Sequence, residues 1–186
     1  MLKHHIRPNQ ELLEAVPVSK ENSIREILLT QGQVAIVDEE DYALLSQYKW
    51  KAHKRKTDNT FYADTHTSRK NPPRVTLRMH RVILGICDPR IMVDHIDGNG
   101  LNNSRKNLRI ATAHQNQGNR SKNRGNFTST FRGVCKIKGK WVMQIGTKPR
   151  VSIRCESEIN AARLYDEYAI NYWGEFARLN FPVVSP

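Results

Sequence analysis

Adjacent acidic and imidazole side chains near the middle of the chain, followed by two spaced asparagines, have the chemistry of a hydrolytic centre. Asp94 and His95 are neighbours, and Asn107 and Asn116 follow within the next 21 residues. Carboxylate and amide oxygens suit a six-coordinate ion such as Mg²⁺ or Mn²⁺ better than zinc. A neutral imidazole can remove a proton from water that attacks a phosphodiester, while a metal ion neutralises the developing charge. The residues predict metal-assisted hydrolysis, with Asp94 and Asn116 as metal ligands and His95 as the general base.

The same segment indicates the elements that must position these side chains. Residues 93–96 are a short β-prone run, which Asp-Gly-Asn-Gly at 97–100 ends with a strong turn signal. Residues 110–120 predict a helix. Consecutive strand residues point to opposite faces, so His95 is expected to point away from Asp94. The predicted order is strand, loop and helix.

A nearby histidine, His114, competes with Asn116 for the last position of this pattern. The two residues lie about 200° apart around a helix of roughly 3.6 residues per turn, so they do not share a face. We choose Asn116 as the predicted ligand. An isolated Asp-His pair is more often a turn or a surface pair than a catalytic one, but here the pair, the turn and both asparagines occur in order.

Together, Asp94-His95, the turn at 97–100, Asn107-Leu108-Arg109 and Asn116 resemble the motif of HNH endonucleases, above all the small homing enzymes that phages and introns encode. The resemblance implies a ββα-metal nuclease domain in which Asp94 and Asn116 bind a single divalent ion and His95 is the general base. It also implies that Asn107 ties the loop to the catalytic strand. The chain departs from many relatives by having Asn116 where they have histidine.

Residues around the motif have functional and structural interpretations that the sequence leaves open. Met79-His80-Arg81-Val82 matches the upstream part of the same family. His80 and Arg81 are candidates for contacting the scissile phosphate, although His80 fits equally a core position bonded to backbone. Arg109 either grips phosphate or forms a salt bridge with Asp97.

The N-terminal part of the chain predicts a β-rich region. Residues 24–29 and 34–37 indicate two short strands around a turn, and Asp38 is a candidate N-cap for a helix over 39–47. That helix would present to a core the side chains of Tyr42, Leu44, Leu45 and Tyr48, with Trp50 beyond it. Residues 51–70, which include Arg55, Lys56, Arg69 and Lys70, fit either a basic hairpin on DNA or a solvated charged loop.

The C-terminal third predicts a very small domain. Residues 119–130 are almost free of apolar side chains and indicate a basic linker. Strand-like runs at 131–134, 139–145 and 151–153 then precede a helix that Ser157 caps and Gly174 ends. The helix has an apolar stripe, assigned to the core, that comprises Ala161, Ala162, Tyr165, Tyr168, Ala169 and Tyr172.

Arg-Gly-Val at 132–134, Gly-Lys-Trp at 139–141, Ala-Ala-Arg-Leu-Tyr-Asp at 161–166 and Leu-Asn-Phe-Pro at 179–182 closely resemble the plant ethylene-response-factor (Apetala-two) DNA-binding domain. In that family the sheet enters the major groove. The resemblance implies DNA contacts from Arg132, Lys136, Lys138, Trp141 and Gln144, with Lys148, Arg150 and Arg154 near phosphates. Trp141 fits sheet packing equally well. Several base-reading arginines of the plant domains are unmatched, so the plant target sequence does not transfer.

Composition agrees with a nucleic-acid partner. The chain has 30 Lys and Arg against 18 Asp and Glu, a net charge of +12 and a pI near 9.9, which indicates nucleic acid or an anionic membrane surface. Without a membrane-spanning run or a signal peptide, we expect a cytoplasmic, DNA-associated protein of a bacterial or phage-infected cell. Cys87, Cys135 and Cys155 form no C-x-x-C pair, so neither structural zinc nor a disulfide is predicted.

The predicted fold class is α+β. Residues 1–118 would hold the β-rich region and an HNH nuclease core with its motif at 79–118, residues 119–130 the linker, and residues 131–182 a three-stranded antiparallel sheet packed on one helix. The predicted function is a metal-dependent, site-directed homing endonuclease on double-stranded DNA, without a small-molecule cofactor, acting as a nicking monomer or as two chains. The alternative is a sequence-specific DNA-binding regulator with an inactive HNH centre. A protein that only coats nucleic acid would leave the ordered motif unused.

Overall fold

The computed structural model describes residues 23–54, 60–67, 75–120, 127–146 and 149–182. The basic residues Arg55, Lys56, Arg69, Lys70 and Lys148 lie outside these ranges, as do residues 1–22 and the 121–126 part of the predicted linker.

An antiparallel hairpin and a short helix begin the described chain. Strands β1 (Ile24–Leu28) and β2 (Val34–Asp38) pair as the sequence predicts, and helix α1 (Glu39–Leu45) follows. Asp38 occupies the N-cap position, but its carboxylate accepts a hydrogen bond from the backbone of Arg105 (2.8 Å) and makes no cap. Leu45 and Trp50 are buried as expected, whereas Leu44 and Tyr48 are exposed because the short helix turns them away from the core.

A three-stranded antiparallel sheet comes next, in the order β3 (Lys51–His53), β4 (Tyr62–His66) and β5 (Thr76–Arg78). The pairing of the first two strands favours the hairpin over the charged loop among the two alternatives for residues 51–70, and the third strand was not predicted. Helix α2 (Met79–Ile83) follows β5 directly and buries Met79, His80 and Ile83. The sheet and α2 together place His80 beside the strand that carries Asp94 and His95.

The motif itself folds into two antiparallel strands and a helix. Strand β6 (Met92–His95) pairs with β7 (Leu108–Ala111), and helix α3 (Ala113–Asn119) follows. The prediction that the helix begins at residue 110 is wrong, because residues 110 and 111 continue the strand. Thr112 begins α3 through a capping box with Gln115, which satisfies backbone donors of the first turn.

The C-terminal part has three strands and one helix, as predicted, although the first strand begins only at Val134, the last residue of the predicted run at 131–134. The sheet has the order β10 (Val151–Cys155), β9 (Lys140–Ile145) and β8 (Val134–Ile137), and it packs on helix α4 (Glu158–Trp173). Ser157 caps α4 by accepting from the backbone of Asn160, and Gly174 ends it with φ +57°. The predicted stripe is wrong at Tyr168 and Tyr172, which are exposed, while Trp173 is buried. The molecule is therefore α+β, and no helix among the described residues has both the length and the apolar character needed to cross a membrane.

Two hydrophobic clusters form the core, and the motif touches both. One cluster contains Val37, Leu45, Met79 and Leu108, whereas Ala111, from the same strand as Leu108, packs in the C-terminal cluster with Tyr165 and Trp173. Two hydrogen bonds to backbone carbonyls of α3 strengthen this junction. The backbone N–H of Arg178 donates to the Gly118 carbonyl (3.2 Å), and the Arg132 guanidinium donates to the Gln117 carbonyl (3.0 Å). Helix α3 is thus shared between the two halves of the fold.

Gly118 sets how closely α3 approaches the C-terminal half. A Cβ at this position would lie 2.6 Å from Trp173 Cγ and 2.9 Å from the Phe176 carbonyl oxygen. We predict that Gly118→Ala lowers the free energy of unfolding by about 1–3 kcal/mol through overpacking, although alanine is ordinarily the better helix former. Urea unfolding would measure this, with the exposed Gln117→Ala as the control. A stabilised Gly118→Ala variant would contradict the close approach.

Candidate active site

Asp94 is the most constrained charged residue of the motif. Its carboxylate is nearly buried, at 5% exposure, and accepts hydrogen bonds from Arg109 Nε (2.9 Å) and from Asn119 Nδ2 (3.0 Å to Oδ1 and 3.1 Å to Oδ2). Asn119 also donates to the His95 carbonyl (2.7 Å). The carboxylate charge is therefore compensated inside the protein, as a buried charge requires.

Arg109 forms its ion pair with Asp94, which was neither of the two partners that the sequence indicated for it. The two residues are direct partners in the β6–β7 pairing, and Arg109 Nη2 lies 2.9 Å from Asp94 Oδ2. Of the two alternatives, the salt bridge with Asp97 is wrong, because the carboxylate that Arg109 contacts among the described residues is that of Asp94. Arg109 also donates to the Glu175 carbonyl (2.9 Å) and stacks on Phe176, with Cζ 3.8 Å from the ring centroid.

His95 lies on the opposite side of β6 from Asp94 and is equally buried. Its Nε2 is 3.3 Å from Asn103 Oδ1. An amide oxygen only accepts hydrogen bonds, so the ring carries its proton on Nε2 and leaves Nδ1 as the acceptor. Burial lowers the pKa of His95, against the opposing influence of Asn103, Asp97 and Asp94. The imidazole is therefore neutral near pH 7.

His80 and Tyr62 pack against the ring of His95. The ring centroids of His80 and His95 are 5.1 Å apart, and those of Tyr62 and His95 are 5.8 Å apart. His80 is buried, and its Nδ1 has no hydrogen-bond partner among the described residues. Burial, reinforced by the nearby His95 ring and by the positive charges of Arg78 and Arg81, lowers the pKa of His80 to about 3. His80 is thus a neutral core histidine in contact with the motif.

The loop between β6 and β7 is held by side-chain amides. Asn107 Nδ2 donates to Asp97 Oδ1 (2.9 Å) and to the Asn102 carbonyl (2.8 Å), while Asn107 Oδ1 accepts from the Asp97 backbone (3.0 Å). The backbone of Ile96 donates to the Asn107 carbonyl (2.9 Å). These contacts join the end of β6 to the start of β7, so Asn107 stabilises the loop on both sides.

Asn116 and Asn119 lie three residues apart on α3, on one face of the helix. Asn116 is half-buried beside a cavity that also touches His80 and Val93. Asn119, one turn later, makes the contacts with Asp94. Sequence reasoning missed Asn119, although its helical spacing from Asn116 was the available signal. It also missed Asn103, for which the run of asparagines after the turn gave no distinguishing sign.

The donor types at this site fit a hard divalent ion. Among the described residues, Asp94 Oδ1 receives its hydrogen bond from Asn119 alone, and a carboxylate oxygen has room for a second ligand. Asn116 offers an amide oxygen. Within the described ranges no three His, Cys, Asp or Glu side chains cluster for metal binding. Mg²⁺ is commonly held by one or two protein oxygens, completed by water and substrate phosphates, so the set is sufficient in kind.

Arg81 is engaged in protein contacts. Its guanidinium donates to the carbonyls of Asp88 and Ile91, both at 2.6 Å. These bonds brace the loop before β6. A phosphate contact by Arg81 would have to use its remaining donor capacity.

The predicted DNA-contacting residues of the C-terminal sheet divide into two groups. Lys136, Lys138, Arg150 and Arg154 are exposed. Arg132 is directed inward, where Nε donates to the Tyr165 hydroxyl (2.8 Å). Trp141 packs against the C-terminal core with Lys136 over its ring (4.9 Å), and half-buried Gln144 donates to Ser152 (3.3 Å). Among the described residues of this predicted set, Lys136, Lys138, Arg150 and Arg154 therefore have side chains that solvent reaches.

A relative from Acanthamoeba polyphaga mimivirus, described as an uncharacterized HNH endonuclease, is 31% identical to the chain over 158 residues. The alignment covers 81% of this chain and 76% of the relative. No family model matches the chain, and no solved structure does. The similarity extends well beyond the motif at 79–118 and so includes residues that pack around it.

The depressed pKa of His80 predicts a pH-dependent stability. The unfolded chain takes up the proton near pH 6.5 while the folded chain resists it down to about pH 3, so this contribution is complete above pH 6.5 and is lost as the pH falls. Between pH 7 and pH 5, His80 should account for a loss of about 2 kcal/mol in the free energy of unfolding.

Urea unfolding of the wild type and of His80→Gln at both pH values would measure the difference, with the exposed His66→Gln as a matched control. We expect the loss to shrink by about 2 kcal/mol in His80→Gln and to persist in His66→Gln. An unchanged pH dependence in His80→Gln would show that the buried ring is not the cause.

Proposed function

The chain belongs to the HNH endonuclease family, and on that premise we propose that it hydrolyses phosphodiester bonds of double-stranded DNA at sites selected by its C-terminal sheet. The observation that carries the proposal is the pair Asp94 and His95. Adjacent on one strand, they are both buried and are held by separate amide partners, Asn119 and Asn103. Such fixed geometry is what positioned acid–base chemistry requires.

His95 acts as the general base in this proposal. Its neutral ring has Nδ1 available because Nε2 faces Asn103 Oδ1. Nδ1 takes a proton from the water that attacks phosphorus, and Asn103 stabilises the ring as it becomes positive. Asn107 contributes by holding the loop that follows His95. Hydrolysis of this kind leaves 3′-hydroxyl and 5′-phosphate ends, as the resemblance implies.

Asp94 and Asn116 would hold a divalent ion, Mg²⁺ or Mn²⁺, through their side-chain oxygens. Such an ion, when bound, neutralises charge that develops on the phosphate and the leaving oxygen. Asn119 and Arg109 keep the Asp94 carboxylate in place. His80 stays neutral beside His95 and therefore adds no charge that would oppose protonation of the base.

DNA selection is assigned to the C-terminal half. Lys136, Lys138, Arg150 and Arg154 are exposed, and lysine and arginine on a sheet surface hold phosphates and read guanine. The net charge of +12 favours DNA association that weakens with salt. A cutting centre joined to a separate reading surface is the organisation of a homing enzyme.

A sequence-specific DNA-binding regulator is the second candidate. The ion pair between Arg109 and Asp94 favours it, because Arg109 already neutralises the carboxylate that a metal ion would use. In this case the motif would serve the fold, and Asp94 would join β6 to β7 and α3 without taking part in hydrolysis. The two candidates differ in whether DNA is cut.

Removing the proposed base separates them. We predict that the wild type converts supercoiled plasmid to nicked or linear product in Mg²⁺ and not in EDTA. His95→Ala should lower the cleavage rate by about 100- to 10,000-fold, the contribution of a general base. His114→Ala is the matched control, because His114 belongs to the same motif but is exposed on α3 against Tyr172.

DNA binding measured beside cleavage completes this test. Tight binding with lost cutting in His95→Ala, and full cutting in His114→Ala, would support the endonuclease. Site-specific binding by a wild type that never cuts would instead identify the regulator.

A further inference from the structure

A cavity of about 290 Å³ lies beside the motif, between the β3–β4–β5 sheet and Asn116 of α3. One face of the β3–β4–β5 sheet lines it with His53, Tyr62, Asp64 and Arg78, and His80 and Asn116 line it as well. Its volume is near the lower limit of ligand pockets, roughly 300 Å³. The cavity therefore has room for part of a substrate between the sheet and α3.

The strand pairing explains why these side chains meet. His53 is paired with Tyr62, and Asp64 is paired with Arg78. Because alternate residues of a strand share a face, Tyr62 and Asp64 point to the same side of β4 and carry their partners with them. The sheet thus presents an imidazole, a carboxylate and a guanidinium together.

His53 and Asp64 form a hydrogen-bonded dyad at this wall. Nδ1 of His53 lies 3.0 Å from Asp64 Oδ2. The other oxygen of Asp64 is buried without a hydrogen-bond partner among the described residues. The His53 side chain is 53% exposed and that of Asp64 only 15%. The buried carboxylate of Asp64 therefore orients the exposed ring of His53. Because Nδ1–H donates to Asp64, Nε2 is the nitrogen that faces solvent or substrate.

The dyad lies next to the proposed centre without belonging to it. Tyr62, the cross-strand partner of His53, packs against the ring of His95 (5.8 Å), and Asn116 lines the same cavity. An attacking water and a leaving oxygen occupy opposite sides of phosphorus in an in-line displacement. A base and an acid that come from different strands, such as His95 on β6 and His53 on β3, fit that requirement.

We propose that His53 is a further catalytic residue, which donates a proton to the 3′-oxygen that leaves phosphorus, and that Asp64 is its positioning residue. This inference rests on the proposed endonuclease function. The water oxygen forms a bond to phosphorus and gives a proton to His95, and the bond from phosphorus to O3′ breaks. O3′ receives the Nε2 proton of a His53 ring that starts the step protonated on both nitrogens and keeps its Nδ1–H toward Asp64. His53 ends neutral and His95 protonated, and exchange with solvent restores both.

The test compares two leaving groups. Single-turnover cleavage in Mg²⁺ would use a duplex with the natural 3′-oxygen and one with a 3′-bridging sulfur, whose thiolate departs without a proton. His53→Gln should slow cleavage of the oxygen substrate by about 100-fold or more and of the sulfur substrate by less than about 5-fold. Asp64→Asn should show the same selectivity to a smaller extent. His66→Gln, an exposed histidine on β4 outside the cavity, is the matched control.

DNA binding and thermal unfolding of each variant give readouts independent of cleavage. Equal losses on the two substrates would overturn the acid role and make His53 a phosphate contact. No loss on either substrate would remove His53 from the reaction. If the wild type cuts neither duplex, the proposed function is wrong and the inference fails with it. If the wild type cuts and His53→Gln behaves like the wild type, the proposed function stands and only the role of His53 is wrong. Should His53→Gln unfold, Asp64→Asn carries the same comparison.

Discussion

The buried carboxylate of Asp94 holds together the three elements of the motif, strands β6 and β7 and helix α3. It is nearly buried, and a charge removed from water must be compensated by hydrogen bonds and an opposite charge. Arg109 from β7 and Asn119 from α3 supply them. The Asp94 side chain therefore stabilises the pairing of β6 with β7 and the position of α3 against β6. It also helps to position His95, because Asn119 donates to the His95 carbonyl as well.

Through Arg109, this constraint extends into the C-terminal half. The guanidinium that neutralises Asp94 also binds the Glu175 carbonyl and lies on the ring of Phe176. Gly118, on the same helix as Asn116 and Asn119, lets Trp173 approach without a clash. The C-terminal half is thus joined to the strand of Asp94 at the site where the chemistry is proposed.

The sequence predicted elements with strong local signals and missed partnerships that depend on register. The β1–β2 hairpin, the C-terminal strands, the Ser157 cap and the Gly174 end are local patterns, and all are present. The sequence left Arg109 open between a phosphate and Asp97 as partner, and it did not indicate Asp94, because residues 110 and 111 were assigned to a helix. Without β7, the direct pairing of Arg109 with Asp94 could not be foreseen. His53 and Asp64 are 11 residues apart and are brought together by the register of the β3–β4 pairing, which the sequence does not indicate.

Plasmid cleavage by Asp94→Asn distinguishes a carboxylate that takes part in hydrolysis from one that only joins β6, β7 and α3. The substitution removes the charge and keeps the shape and an acceptor oxygen for Arg109 and Asn119. We expect Asp94→Asn to bind DNA as the wild type does and to cut it at least about 100-fold more slowly in Mg²⁺. The control Asp88→Asn, which removes a carboxylate from the loop before β6, should cut at the wild-type rate. A folded Asp94→Asn chain that cuts at the wild-type rate would contradict it.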